Sequence, residues 1–143
     1  MGGLIMINKI FTLDEANEML PQLIHDLKHL QTLAGQFELQ FQELQEKKAQ
    51  HKQSTKLTAT GENNDPFFKE ESQIEFMRME IDLQIDNFSR KGVLLKMINP
   101  GLIDFPSVLD GEDILICWKQ GEERVSHYHG WHDGYAGRKP LPG

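Results

Sequence analysis

Cysteine is nearly absent from this 143-residue chain: Cys117 stands alone. A single thiol excludes an internal disulfide framework and fits a reducing, cytoplasmic setting. Long apolar runs are missing too. Nothing approaches the roughly 18 consecutive apolar residues of a membrane-spanning helix, so no membrane span is expected. The amino terminus, MGGLIMINKIF, has neither a basic leader nor a small-residue cleavage site and does not read as a secretion signal; Met6 is an alternative start. Basic residues are outnumbered, 15 Lys and Arg against 22 Asp and Glu, for a formal charge of −7. With no Lys/Arg stripe, that balance disfavours a nucleic-acid partner. Apolar residues make up 38% of the chain, modest for a monomer, which points to stabilisation by a partner chain. The chain also lacks a CxxC pair, an HExxH, a GxSxG, a Walker loop and a dinucleotide fingerprint.

The residues that are present fall into two rhythms. Thr12 and Glu15 form a capping box that starts a helix, with Phe11 and Ala16 placed for a hydrophobic staple. From there Leu13, Ala16, Leu20, Leu23, Leu27, Leu30, Ala34, Phe37, Phe41 and Leu44 recur at three-four spacing, a heptad seam longer than four repeats. The intervening Gln, Glu, Lys and His read as a solvated face. Pro21 lies inside the pattern and predicts a kink or short break, because it removes a backbone donor. Residues 51–66, HKQSTKLTATGENNDP, read as a loop. Phe67, Ile74, Met77, Ile81, Ile85, Phe88 and Leu95 mark a second helix that stops at Asn99-Pro100-Gly101. Two such helices make an antiparallel hairpin whose apolar seam must be covered by the C-terminal region or by a second copy. Leu20, Leu23, Leu27, Leu30, Phe37 and Phe41 are therefore dimer or core positions.

After residue 101 the segments shorten. LIDFPS reads as a strand stopped by Pro106, Asp110-Gly111 as a tight turn, and ILICWK as a buried strand. QGEE reads as a turn and RVSHYHGW as the partner strand. The expected fold class is α+β, in a single domain spanning 1–143. A long antiparallel helical hairpin covers about 12–98, and a small C-terminal antiparallel β-sheet of about three strands with an irregular tail covers about 101–143.

FTLDEANEMLP (Phe11 to Pro21), GLIDFPS (Gly101 to Ser107), CWKQGE (Cys117 to Glu122), Tyr128-His129 and GYAGRKPL (Gly134 to Leu141) together resemble, in this order, an uncharacterised prokaryotic family known as the domain of unknown function DUF2203. The resemblance spans nearly the whole chain. The family pattern has Trp-His where Tyr128-His129 stands and Gly-Phe where Gly134-Tyr135 stands. The resemblance implies that Cys117, Trp118, Glu122, His129 and Arg138 belong to a shared pattern, whereas His127, Trp131 and His132 are peculiar to this chain. It implies no settled activity.

Three of the six histidines crowd into HYHGWHDGY, His127 to Tyr135. Alternation along a strand puts His127 and His129 on one face, so this pair could hold zinc or iron. Cys117 joins them only if the turn before the strand has the right parity. A two-residue turn at QG or GE turns Cys117 away from both histidines, and a three-residue turn reverses that. Within ILIC the thiol reads as buried and inert. Asp104, Glu122, His129 and Asp133 are candidates for acid–base work, although Asp104 and Glu122 are equally accounted for as turn carboxylates. The Arg138 fork suits a carboxylate, with Glu122 or Asp104 as an internal partner and an anionic ligand as the alternative. Trp118, Tyr128, Trp131 and Tyr135 are either a ligand surface or packing for a small sheet. The reading favoured on these residues is a cytoplasmic homodimeric binding or structural protein. The alternative is a small metal-binding protein or metal-dependent hydrolase centred on His129, with His127, Glu122 or Asp104.

Overall fold

The computed structural model describes residues 9–55 and 65–142. The expectations about the amino terminus and the start residue, and the central part of the expected loop, lie outside them. Helix α1 runs from Leu13 to Thr55 and helix α2 from Phe68 to Arg90. Five strands follow: β1 (Leu94–Met97), β2 (Leu102–Leu109), β3 (Glu112–Lys119), β4 (His127–Gly130) and β5 (Lys139–Pro140). They form one antiparallel sheet in the order β1-β2-β3-β4-β5. The α+β class and the helical hairpin stand, with five strands where three were expected.

The capping box forms at the start of α1: the Thr12 amide donates to Glu15 Oε1 at 2.9 Å, and the Glu15 amide donates to Thr12 Oγ1 at 3.1 Å. The helix passes through Pro21 without a break. Leu20 and Leu23 on either side are both buried, and their packing holds the turn despite the lost donor. At its far end α1 takes in His51 to Thr55, which were expected in the loop.

The second helix is shorter than its apolar spacing suggested. It ends at Arg90, where the Gly92 amide donates to Ser89 O and the Val93 amide to Phe88 O. With Gly92 at φ +86° and Val93 and Phe88 both buried, this is a Schellman stop. Leu95, counted as helical by its spacing, lies in β1. Alongside α1, α2 is tied by Lys48 Nζ to Glu71 Oε2 at 2.5 Å, by an ion pair between Lys91 and Asp26, and by an edge contact of His51 with Phe67.

Alternate residues of β2 and β3 face opposite ways. Ile103 and Phe105 of β2, with Ile114, Ile116 and Trp118 of β3, pack on Leu20, Leu23, Leu27 and Leu30 of α1, with Phe11, Phe88 and Val93 completing the core. Those four leucines are thus filled from within the chain, whereas Phe37 is half-buried and Phe41 is exposed. Two polar residues of α1 also face the sheet rather than water. Asn17 both donates to and accepts from the Val125 backbone, and Gln31 donates to Ile98 O and to Gln120 Oε1.

Asp110 and Gly111, both with positive φ, make the two-residue turn that sets the β2–β3 register. Pro106 lies inside β2 instead of ending it. Its carbonyl accepts from the Phe11 amide and so points away from β3, which means its missing N–H removes no ladder bond. Gly101 sits where a Cβ would come 2.2 Å from Leu27 Cδ2, so any larger residue there has to displace the buried Leu27 side chain.

Candidate metal centre

The other face of the sheet carries the chemistry. Asp104 is paired with Cys117 across the β2–β3 hairpin, and Cys117 with His127 across β3 and β4. His129 lies opposite Leu115, two residues along the same face. The connection between Lys119 and His127 is wider than either turn expected from the sequence, and its register brings Cys117 onto the face of both histidines. That corrects the two-residue-turn parity, which would have turned the thiol away.

Asp104, Cys117 and His129 converge, each offering one donor atom, and these atoms all lie within 4.8 Å of one another. The residues are 1%, 0% and 5% exposed, so the cluster lies away from bulk solvent. His129 Nε2 is 3.1 Å from Asp104 Oδ2. Its other ring nitrogen, Nδ1, lies 2.9 Å from the Gly130 carbonyl. A carbonyl can only accept, so Nδ1 carries a proton and Nε2 is the atom turned towards Asp104. Asp104 Oδ1 is buried and has no hydrogen-bond partner among the described residues. An orphaned buried acceptor costs about 1–3 kcal/mol, and more when charged.

Burial pushes the Cys117 thiol up to about 12, with the adjacent Asp104 carboxylate adding to the rise and Arg138 opposing it. The metal-free thiol is therefore protonated at neutral pH, as its apolar neighbours suggested.

Arg138 and Glu122 form the lid of this face. Arg138 Nη1 and Nη2 donate to Glu122 Oε1 at 3.0 Å and Oε2 at 2.5 Å, and the Lys119 amide donates to Oε1 at 2.8 Å. Burial would raise the Glu122 carboxyl, but the Arg138 hydrogen bonds, the Lys119 amide and the guanidinium charge together hold it below the usual carboxylate range. Glu122 in turn raises the Arg138 pKa, chiefly through the same hydrogen bonds. The partner of Arg138 is thus Glu122 and not Asp104. The pair fastens the tail, whose Tyr135 ring stacks under the guanidinium at 4.4 Å.

The remaining sequence candidates lie elsewhere. His127 shares the face but is occupied, its Nδ1 3.0 Å from Ser126 Oγ and 4.0 Å from Glu122 Oε2. It is not part of the cluster, so the expected His127–His129 pair gives way to His129 with Asp104 and Cys117. Trp118 points into the core and donates its indole N–H to Glu122 O at 3.0 Å. Trp131 is exposed, and the four aromatics do not form one surface. Asp133 accepts from the Gly130 amide in a turn.

The model of an uncharacterised conserved protein family, DUF2203, matches residues 9–141. The chain belongs to this family. No curated protein and no solved structure gives a significant match. In this DUF2203 protein the pairing of Asp104 with Cys117 was legible by a simple signal. Asp104 and Cys117 are equidistant from the Asp110-Gly111 turn, and a two-residue turn pairs equidistant residues directly.

Proposed function

We propose that this DUF2203 protein binds a divalent transition metal through Asp104 Oδ, Cys117 Sγ and His129 Nε2, zinc foremost and iron as the other candidate. The observation that carries the reading is the buried triad with its orphaned Asp104 Oδ1. Thiolate, imidazole and carboxylate are the usual zinc donors, and zinc bond lengths of about 2.0–2.3 Å imply donor separations of about 3.3–3.7 Å in a tetrahedron. The His129 Nε2 to Asp104 Oδ2 distance of 3.1 Å is close to such an edge. The Gly130 carbonyl supplies the outer hydrogen bond that fixes the ring orientation of a metal-bound histidine.

A bound divalent ion supplies Lewis acidity and a positive charge that offsets the Asp104 carboxylate and a Cys117 thiolate. Binding would release to solvent both the thiol proton and the proton held between His129 Nε2 and Asp104 Oδ2, since thiolate, neutral imidazole nitrogen and carboxylate are the ligands. Asp104 and Cys117 hold their donors on paired strands, and the Arg138–Glu122 lid keeps bulk water off the thiol side. Three protein donors leave a fourth position for water or a small ligand. Their burial supports a bound-metal role ahead of a hydrolase that must admit a substrate.

The setting is read as cytoplasmic, because a thiol ligand must stay reduced. No helix among the described residues is long and apolar enough to cross a membrane. The charge of −7 speaks against a nucleic-acid partner. The protein is read as a homodimer, supported by the apolar side chains left exposed on its helices. Cobalt(II) substitution tests the metal reading. The expected spectrum has the visible bands of a tetrahedral site and a near-ultraviolet thiolate-to-cobalt band that disappears in Cys117→Ser. Cobalt that keeps its aqueous spectrum in the presence of the wild-type protein rejects the site.

A further inference from the structure

The sheet face that carries Asp104, Cys117 and His129 continues beyond them. Met97 of β1 is paired with Leu102 of β2, and Leu102 with Lys119 of β3, so the three form one row across the strands. Leu102 lies two residues from Asp104 and Lys119 two from Cys117, which puts the row about 7 Å along the strands from the triad. Pro100, from the β1–β2 turn, and Tyr135, from the tail, close round this row and leave a cavity of about 190 Å³.

The lining is hydrocarbon with one available charge. Lys119 Nζ lies 5.2 Å from the centroid of the Tyr135 ring, and the Arg138 guanidinium lies 4.4 Å from the same centroid. Glu122 neutralises Arg138, whereas no carboxylate among the described residues pairs with Lys119. The aromatic ring thus holds a half-buried ammonium beside an apolar cavity, in a chain of net charge −7.

We propose that this cavity binds a small aliphatic monocarboxylate, its carboxylate on Lys119 and its chain against Met97, Pro100, Leu102 and Tyr135. The volume limits the ligand. It is below the roughly 300–1,000 Å³ of sites for drug-sized molecules. At the interior packing density of about 0.75 it holds about 140 Å³ of ligand, about the size of a six-carbon acid. The charge selects the head group. One ammonium balances one carboxylate, whereas a phosphate dianion is best met by an arginine fork, and the Arg138 fork is committed to Glu122. An amine would meet an unpaired cation, and a sugar would lay its hydroxyls against hydrocarbon. The inference does not rest on the metal reading, because none of the lining residues is a donor in the triad.

Nuclear magnetic resonance of isotope-labelled protein, titrated with sodium hexanoate in metal-free and zinc-treated samples, tests the inference. Saturable amide shifts are expected at Leu102, Lys119 and Tyr135 in both samples, with a Kd of about 1 mM, within the efficiency bounds for so small a ligand. Acetate lacks the chain and hexanol lacks the charge, so each is expected to bind about fivefold more weakly or worse. Lys119→Met keeps the apolar stem and is expected to weaken hexanoate about fivefold while leaving hexanol unchanged. Met97→Glu, at an exposed edge position, puts a like charge beside the cavity and is expected to weaken hexanoate more than hexanol. Hexanoate that gives no saturable shift up to about 20 mM overturns the site, since even a weak ligand of this size binds in that range. Binding that Lys119→Met leaves unaltered overturns it equally. Shifts that arise only with zinc and centre on His129 place the carboxylate on the metal, which overturns this site and supports the metal reading. A protein that takes up no zinc yet binds hexanoate through Lys119 rejects the metal reading and keeps this one.

Discussion

Replacing Arg138 by alanine removes the clasp that holds the tail over the face carrying Asp104, Cys117 and His129. The Glu122 carboxylate then loses two of its hydrogen bonds and keeps only that from the Lys119 amide. The Arg138 and Glu122 side chains are 13% and 23% exposed, placing the pair between the surface and the interior. Breaking a buried pair costs about 3–5 kcal/mol and breaking a surface pair about 0–1 kcal/mol, so a loss of about 2 kcal/mol is expected here. For a chain of this length that lowers Tm by about 4–8 °C. The loss depends on pH with a definite sign. The Glu122 pKa is depressed in the folded chain from an ordinary value of 4.5. Its contribution is therefore complete above that value and disappears as pH falls through the folded pKa. Urea melts of the wild type and Arg138→Ala at pH 7 and at successively lower pH should converge below 4.5. Glu122→Gln should show the same neutral-pH loss with little further change in acid. In parallel, Cys117 should react faster with an aromatic disulfide reagent in Arg138→Ala, because the tail no longer shields it. A stability difference that persists unchanged into acid, or a thiol that stays equally protected, would falsify the clasp.

Gly101→Ala should destabilise the protein by about 1–3 kcal/mol in urea titration, the usual cost of overpacking, because its Cβ meets Leu27 Cδ2 at 2.2 Å. An unchanged midpoint would show that Leu27 can move aside. Leu27→Asp buries a charge in the core and should abolish helical circular dichroism, whereas Phe37→Asp, half-buried against exposed Phe41, should leave the chain folded. Equal effects of the two would contradict the division of the seam into core and surface. His127→Ala should retain zinc, and a loss of metal equal to that of His129→Ala would bring His127 back as a ligand.

Local signals in the sequence carried over well where one residue controls one geometric event. The Thr12–Glu15 box and the Asp110-Gly111 turn act within a few residues and formed as expected. The helix end at Gly92 was equally local, but the seven-residue interval from Phe88 to Leu95, which keeps the helical phase, masked it. Spacing does not distinguish a helix from a short strand that happens to share its phase. At Pro106 the outcome depended on which neighbour the strand faces, which is tertiary information. The candidate site shows the same division. The Asp104–Cys117 pairing was implicit in the turn between them. The approach of His129 was not, because it depends on how many residues the Gln120–Ser126 connection uses before β4 begins. Two of the six seam positions ended outside the core because α1 continues beyond the sheet that covers its first half.

The central claim is the buried Asp104–Cys117–His129 metal site. Elemental analysis of tag-free protein, as purified and after dialysis with excess zinc, tests it most directly. An equimolar transition metal in the wild type is expected, with little in Asp104→Asn, Cys117→Ser or His129→Ala while each variant remains folded. A wild-type protein that takes up no metal even from excess zinc, or triad variants that bind as much as the wild type, would contradict the claim.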